Sequence, residues 1–242
     1  MIIDKNISKS HHPAALDYLE GQVLLMHKPY GWTSFQLVKK VKYILSRHHG
    51  VKKIKVGHAG TLDPLASGLM ILCTGRKTKS IDDYQGMDKT YTGTMKLGAT
   101  TPSYDRETEE DATYPTGHIT TKSLKSTMQS FTGELKQYPP AYSAKKINGQ
   151  RAYQKAHKGQ EVATRPAIVS IHKLKLLDYD EPFAHFEVYC SKGTYIRTLV
   201  HDVGKAQHSG AYLTALTRTA IGPYLLQNAL QPDTFQQFFQ ES

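Results

Sequence analysis

Apolar residues repeat along the chain with periods near two and near 3.6 residues, which are the spacings of strands and helices. Short apolar or alternating runs predict strands at residues 22–27, 69–74, 89–97, 167–178 and 183–191. Residues 211–223 fit two strands with a bend between them. The pattern therefore predicts several strands spread over most of the chain, with helices between them.

Helical spacing marks the segments that lie between these strands. The first predicted helix is capped by Thr33 or Ser34 and buries an apolar face formed by Leu37, Val38, Val41, Ile44 and Leu45. Further helices are predicted at residues 121–132, 151–158 and 196–203, and a closing helix with Phe235, Phe238 and Phe239 is predicted from Asp233. Each predicted helix presents or borders an apolar face that a sheet could cover.

The remaining segments are polar or rich in proline. The polar composition of residues 1–20 predicts a loosely ordered lead-in. Residues 98–117 are also polar and contain two prolines, which predicts a loop long enough to bind a ligand. Prolines make residues 137–146 extended, and 148–149 predicts a turn. Because no repeat, low-complexity linker or domain break interrupts the rest, residues 21–242 are predicted to form a single domain.

The net charge of the chain indicates the class of molecule that it binds. The chain of 242 residues has 31 Lys and Arg against 21 Asp and Glu, a net charge of +10. Such a balance favours an anionic partner such as RNA, DNA or a phosphorylated surface. No run of eighteen apolar residues and no signal-peptide core occurs, which favours a cytoplasmic protein without a membrane span. Cys73 and Cys190 lie in apolar or alternating runs and predict neither disulfides nor a zinc site.

Two segments concentrate the positive charge. Residues 39–55 contain seven basic residues and no acidic one, and residues 145–158 contain five basic residues and no acidic one. The second segment includes Lys145, Arg151 and Lys155, interleaved with Tyr142 and Tyr153. Cations interleaved with aromatic rings suit a nucleic-acid surface, whereas a solvated basic face or packed tyrosines would give the same pattern.

The strongest candidate for chemistry is Asp63, which lies in the phrase Gly-His-Ala-Gly-Thr-Leu-Asp-Pro-Leu-Ala-Ser-Gly at residues 57–68. Proline disfavours the helical region for the residue before it, so Asp63 is predicted to lie on a loop, just before a buried strand. By itself, Asp-Pro among glycines is typical of a plain turn. A phosphate-binding loop fits poorly because Gly75-Arg76-Lys77-Thr78 lacks the required spacing of glycines.

This phrase closely resembles the catalytic motif of the TruB family of tRNA pseudouridine synthases, in which the aspartate is essential. Four other phrases resemble the same family, in the family's order, at residues 28–34, 89–91, 139–149 and 190–199. The resemblance implies an α+β pseudouridine-synthase fold, with a mixed, mainly antiparallel central sheet, flanking helices and a cleft across the sheet. It also implies isomerisation of uridine 55 in the T arm of tRNA, without a cofactor or a metal.

The resemblance also implies roles for individual residues. Asp63 would be the catalytic carboxylate, Tyr91 would stack on the target base and relay a proton, and Arg197 would pair with Asp63. From the residues alone, Arg197 beside an apolar helical face requires a nearby carboxylate, and an ion pair with another acid remains open. Contacts with the substrate are predicted for a further set, His58, Asp105, Tyr195, Leu216, Lys145 and Arg151.

Two other functions remain open beside the synthase. The same scaffold could bind and fold the T loop of tRNA with catalysis secondary or lost, although Asp63, Tyr91 and Arg197 are all present. A guide-dependent synthase with partner proteins is disfavoured, because that branch of the family normally retains a C-terminal RNA-binding PUA domain. About twenty residues follow Pro223, so no separate PUA domain is expected. The predicted partner is tRNA alone, and the protein is predicted to be a cytoplasmic monomer that needs no protein partner.

Overall fold

The computed structural model describes residues 2–6, 12–143, 146–147, 150–151, 160 and 165–240. This part of the chain forms two compact units, Met1–Thr90 with Thr217–Ser242, and Tyr91–Leu216. The single catalytic domain predicted for residues 21–242 stays a prediction.

The described residues contain strands, α-helices and short 3-10 turns. The strands are β1 (Ile2–Ile3), β2 (Val23–Lys28), β3 (Val56–His58), β4 (Ser67–Thr74), β5 (Lys89–Leu97), β6 (Ala99–Thr100), β7 (Ala112–Thr113), β8 (Gly133–Gln137), β9 (Lys146–Ile147), β10 (Gln150–Arg151), β11 (Ala167–Asp180), β12 (Phe183–Cys190), β13 (Ala211–Ile221) and β14 (Tyr224–Leu225). The α-helices are α1 (Ser34–His48), α2 (Ile81–Gly86), α3 (Thr121–Ser130), α4 (Ile196–Ala206) and α5 (Pro232–Gln237). Short 3-10 turns occupy Pro13–Ala15, Gly75–Ser80 and Leu226–Asn228.

The first unit contains a mixed sheet centred on β4. Strand β2 runs antiparallel to β4, with Leu25 opposite Ile71, and β1 is parallel to β2. The short strand β3 is antiparallel to β4, and the end of β13 is parallel to its start, with Arg218 opposite Gly68. Seven of the eight residues of β4 are buried, as expected for a strand inside a sheet that is covered on both faces.

Helix α1 packs its apolar face against the first unit's core. Leu37, Val41 and Leu45 are buried at helical spacing, which confirms the predicted helix. Thr33 is the cap: its Oγ1 accepts a hydrogen bond from the Gln36 amide at 3.1 Å, and the Gln36 side chain accepts one from the Thr33 amide. This reciprocal capping box fixes where the helix begins.

The second unit is built on the long antiparallel pair β11 and β12, with β8 antiparallel to β11 on the other side. The order of strands is β13, β5, β12, β11, β8. Alternate residues of β12, including Phe186 and Val188, are buried, as period-two alternation predicted. Helix α3 packs on β11 and contacts α4. The α+β class, with a mixed and mainly antiparallel sheet and flanking helices, is thus as predicted.

Several predicted boundaries are wrong, for local reasons. The lead-in is partly structured, since Ile3 pairs with Leu24 and Tyr18 is fully buried. Residues 211–221 form one strand, and the expected bend lies after it, at Gly222 with φ +51°. Arg151 ends strand β10 instead of beginning a helix. The rest of that predicted helix and the predicted turn at 148–149 lie outside the described residues.

Candidate active site

Asp63 lies on the loop between the antiparallel strands β3 and β4. The pairing of the two strands continues into the loop, because the Ala59 amide donates to the Ile71 carbonyl at 2.9 Å. The Ala66 amide then donates to the carbonyl of Asp63 at 3.1 Å, which closes a turn with Pro64 in its second position. Asp63 is half-buried and non-helical, as predicted from the proline that follows it.

The start of α1 fixes the same loop from the other side. Ser34 Oγ donates to the carbonyl of Leu62 and accepts from its amide, both at 2.9 Å. Three residues before Ser34, the amide of Gly31 donates to the carbonyl of Pro64 at 2.9 Å. Leu62 and Pro64, on either side of Asp63, are therefore hydrogen-bonded to Ser34 and Gly31 at and just before the start of α1, which leaves the backbone of the loop little freedom.

Two buried cations lie close to this loop. Lys28, at the end of β2, is fully buried and its Nζ donates to the carbonyls of Pro29 at 3.0 Å and Trp32 at 2.6 Å. Arg218 in β13 is also buried, and it donates from Nε to the Leu69 carbonyl at 2.7 Å and from Nη2 to the Gly60 carbonyl at 3.3 Å. Backbone carbonyls satisfy these donors, as buried charge requires.

The charges of Lys28, Asp63 and Arg218 influence one another. Burial lowers the pKa of Lys28 to about 8, the charge of Asp63 raises it, and the charge of Arg218 lowers it. Asp63 is thus the carboxylate that partly compensates a buried ammonium group. The site consequently combines one carboxylate with two cations, and it holds the cations on main-chain oxygen atoms.

Close approach of β4 and β13 places Arg218 under the loop. A Cβ at Gly68, which has φ +121°, would lie 2.4 Å from the Arg218 carbonyl oxygen. Only glycine allows this parallel pairing without displacing the neighbouring strand. The glycine that ends the Asp63 phrase thus has a structural purpose: it brings β13, and with it the guanidinium of Arg218, against the loop.

His58 ends β3 just before the loop. Burial first, and then the charge of Arg218, lower the pKa of its imidazole, while a hydrogen bond to the Gly60 backbone raises it. Its Nδ1 is buried without a hydrogen-bond partner among the described residues. The predicted contact of His58 with the substrate stays a prediction, and the structure places its half-buried ring next to the Asp63 loop.

In the second unit, Arg197 and Asp105 form a buried ion pair. Arg197 Nη1 lies 3.5 Å from Asp105 Oδ2 and donates to the Ser103 carbonyl at 3.2 Å, and its Nη2 donates to the Tyr142 carbonyl at 2.9 Å. The carboxylate expected near Arg197 is therefore present. The pairing of Arg197 with Asp63 stays a prediction.

The loop that carries Asp105 is itself tightly bonded. The Asp105 carbonyl accepts a hydrogen bond from Thr101 Oγ1 at 2.7 Å, and Asp105 Oδ1 accepts one from the Glu107 amide at 2.9 Å. Tyr104 has a positive φ of +63° and stacks on His201, with ring centroids 4.0 Å apart. Hydrogen bonds within the loop thus aim the Asp105 carboxylate at the first turn of α4.

The other predicted site residues have different surroundings. Tyr91 in β5 is buried, and Tyr195 and Leu216 are half-buried. Gln137 holds the backbone of Tyr195 from both sides: its Oε1 accepts from the amide at 2.7 Å, and its Nε2 donates to the carbonyl at 3.0 Å. Lys145 lies outside the described residues, and Arg151 is described only through its backbone in β10. Their predicted RNA contacts stay predictions.

Sequence reasoning missed Lys28, Arg218 and Gln137 as site residues. Lys28 stood in a phrase that resembles the family, but its burial was not foreseen, and Arg218 is the one charged residue of strand β13. A charged residue inside a strand that should be buried is a signal that could have found both cations. Gln137 gave no such signal, because its partner lies 58 residues away.

The described residues include neither a cluster of metal-ligating side chains nor a helix that could span a membrane. Among the described residues, no group of three or more His, Cys, Asp and Glu side chains could hold a metal ion. No helix in the described part of the chain is long and apolar enough to cross a membrane.

Comparison with known proteins relates the chain to one family. A family model described as TruB family pseudouridylate synthase (N terminal domain) matches residues 47–196. A protein of Bacteroides thetaiotaomicron named tRNA pseudouridine synthase B is 51% identical over 92% of this chain and 95% of its own length. A protein of Flavobacterium johnsoniae with the same name is 50% identical over 93% of this chain and 98% of its own length.

A solved structure supports the fold. The chain resembles, with a TM-score of 0.67 and 24% identity, a chain in a structure described as an H/ACA RNP bound to a substrate RNA containing 2'-deoxyuridine. The match covers 93% of this chain and 56% of that one, so the chain spans a little more than half of that protein.

Proposed function

The chain belongs to the TruB family of pseudouridylate synthases, and we propose that this tRNA pseudouridine synthase isomerises uridine 55 in the T arm, with Asp63 as its essential catalytic residue. The observation that carries this proposal is the immobilisation of the Asp63 loop. Main-chain hydrogen bonds, Ser34 and the buried Arg218 hold the backbone around a half-buried carboxylate. A carboxylate whose backbone is held in one place is suited to catalysis, because the catalytic group is then already oriented toward the reacting atom of a bound substrate.

The reaction needs no oxidant or reductant. The bond between ribose C1′ and uracil N1 breaks, the base rotates, and C1′ bonds to C5; N1 ends with a proton, and C5 loses one. A carboxylate can serve as a nucleophile or as a stabiliser of positive charge at such a sugar carbon. Asp63 is the residue that we assign to this step.

We assign the remaining steps to residues of the second unit and to His58. Tyr91 stacks on the uracil and accepts or relays the proton lost from C5. Arg197, held by Asp105, supplies a fixed positive charge, and Leu216 and Tyr195 line the uracil pocket. His58, whose pKa burial lowers, is uncharged at neutral pH and fills the space that the displaced base leaves.

We also propose that tRNA is the whole requirement for activity. The isomerisation uses only acid, base and nucleophile chemistry, so the reaction itself calls for no cofactor or metal. The enzyme acts as a cytoplasmic monomer without a protein partner. Adding EDTA should leave the rate unchanged, and a rate that falls and returns with a divalent cation would contradict this part of the proposal.

The test follows tritium released from C5-labelled uridine in a T-arm stem-loop RNA. We expect release by the wild type, none by Asp63→Asn at equal bound RNA, and normal release by Asp83→Asn, which removes an exposed carboxylate on α2. Binding of the RNA without release by any of the three proteins would favour the T-loop folding function instead. Release by Asp63→Asn would show that another residue performs the step.

A stem-loop with cytidine in place of uridine 55 tests the position. Tritium at C5 of the other uridines of that RNA should then not be released. Release from any of them would contradict the assignment to uridine 55, while leaving the synthase activity itself intact.

A further inference from the structure

Helix α1 carries aromatic and basic residues on the side that points away from the core. Phe35, Lys39, Lys42 and Tyr43 lie at positions i, i+4, i+7 and i+8, opposite the buried residues of the helix, and are here called the α1 outer face. Phe35 is 72% exposed and Tyr43 is 58% exposed. Phe35 is the most exposed of the large hydrophobic side chains among the described residues, and it lies in line with two lysines.

The charge of the α1 outer face is not balanced by acids. No acidic residue occurs from residue 39 to residue 55, and neither Lys39 nor Lys42 has a carboxylate of the described residues within ion-pair distance. The lysine of α1 that does form an ion pair, Lys40 with Asp233 at 3.6 Å, lies to one side of this face. The two lysines of the outer face are therefore available to an external anion.

A further cation stands beside the outer face. Arg47 Nη1 donates to Tyr43 Oη at 3.0 Å, and its Cζ lies 5.8 Å from the centre of the Tyr43 ring. This contact steadies the exposed tyrosine and adds positive charge next to it. From Phe35 to Tyr43 the face is about 12 Å long, from the rise of 1.5 Å per residue.

The outer face begins next to the candidate catalytic loop. Ser34, which bonds Leu62 of that loop, directly precedes Phe35. Tyr30 is 58% exposed and is followed by Gly31, whose amide donates to the Pro64 carbonyl. An exposed aromatic ring thus stands on each side of the turn that holds the loop.

We propose that the α1 outer face is an RNA-binding surface, on which Phe35 and Tyr43 stack unpaired bases of the substrate tRNA while Lys39 and Lys42 contact its phosphates. The proposal rests on the proposed function, which supplies tRNA as the molecule bound at the adjacent loop. Unpaired RNA offers the two groups that this surface matches, since every base has a face for stacking and every linkage carries a negative charge.

The charge part of the proposal is tested by salt dependence. The double variant Lys39→Ala/Lys42→Ala is compared with Lys122→Ala/Lys125→Ala, which removes two exposed lysines from α3. If both outer-face lysines contact phosphates of unpaired RNA, the slope of log K against log salt should fall in magnitude by about 1.4 in the first variant. Equal slopes in the two double variants would overturn the proposal.

The stacking part is tested by two changes at one position. Phe35→Ala should weaken binding by about fivefold or more, the lower limit for one base stacked on an aromatic ring, and Phe35→Tyr should restore it. Circular dichroism confirms that each variant is folded. Unchanged binding by Phe35→Ala, or equal loss in both variants, would overturn the stacking role.

Tritium release by the wild type distinguishes a failure of the RNA-binding surface from a failure of the proposed function. Release together with unchanged RNA binding in every outer-face variant overturns the RNA-binding surface and leaves the proposed function intact. Absence of release by the wild type overturns the proposed function itself. Measuring binding to the stem-loop and to whole tRNA locates the bound segment, because a loss seen with both RNAs assigns it to the T arm.

Discussion

Burial of Lys28 should make the stability of the protein depend on pH. Its Nζ donates to two backbone carbonyls and its side chain is fully buried, which lowers its pKa from the ordinary 10.5 to about 8. Between these two pH values the unfolded chain holds a proton that the folded protein has released. Because the unfolded state then binds more protons, the free energy of unfolding should rise with pH across this window.

The size of the effect follows from the two pKa values. A difference of about 2.5, at about 1.4 kcal/mol for each pKa unit, makes the cost of burying the charge about 3 kcal/mol at pH 7 and below. By pH 9.5 most of the folded molecules carry a neutral amine, and about 2 kcal/mol of that cost is recovered. Lys28→Met lacks the titrating group, so the difference in free energy of unfolding between wild type and variant isolates this contribution.

Urea unfolding of both proteins between pH 7 and pH 9.5 is the assay. We expect the wild type to gain about 2 kcal/mol relative to Lys28→Met over this range, whereas Lys53→Met, which removes an exposed lysine, should follow the wild type. A constant difference between wild type and Lys28→Met would refute the reasoning, because it would mean that Lys28 binds its proton equally well in the folded and unfolded states.

Two other predictions concern the framework around the site. Thr33→Ala should lower the free energy of unfolding by about 1 kcal/mol, because it removes the cap of α1; a urea titration that finds no change would mean that Ser34 alone fixes the helix start. Cys73 is fully buried, and burial raises the pKa of its thiol to about 11, so iodoacetamide at pH 8 should modify it only after unfolding. Modification of the native protein at the rate of a free thiol, read by mass spectrometry of the peptide, would contradict this.

Local patterns were sufficient for the parts of the fold whose causes are local. Helix α1 was predicted because the residues that form its cap and its apolar face all lie within residues 33–45. Strand β12 was predicted because its alternate residues are buried on one face. In each case the information lies within one turn or one strand of the residue concerned, where propensity and periodicity act.

Pairing between distant segments explains what was missed. Strand β3 has three residues, and only its pairing with β4 makes it a strand. Most of strand β8 was left unassigned between a predicted helix that ends at residue 132 and an extended segment that begins at residue 137, but Gln137 pairs with Ala167 of β11. Neither segment has enough residues to show a period of its own, so their structure depends on partners that a local pattern does not contain.

The candidate site shows the same division. The motif around Asp63 pointed to the carboxylate and its loop, yet the two cations were not foreseen as buried. Lys28 and Arg218 are stable inside the protein only because particular carbonyls face them, and for Arg218 the carbonyls of Gly60 and Leu69 come from about 150 residues earlier in the chain. Composition assigns such residues to the surface, and only the folded chain shows the oxygen atoms that hold them.

The segment from β2 to α1 links the two proposals physically. Between Lys28 and Tyr43 it supplies the buried ammonium group, the hydrogen bonds of Gly31 and Ser34 to the Asp63 loop, and then the α1 outer face. The backbone that fixes the loop is thus continuous with the helix that we expect to hold the RNA. An RNA strand bound on α1 would therefore be positioned relative to Asp63 by a short, hydrogen-bonded connection, which is the arrangement that orientation of a substrate requires.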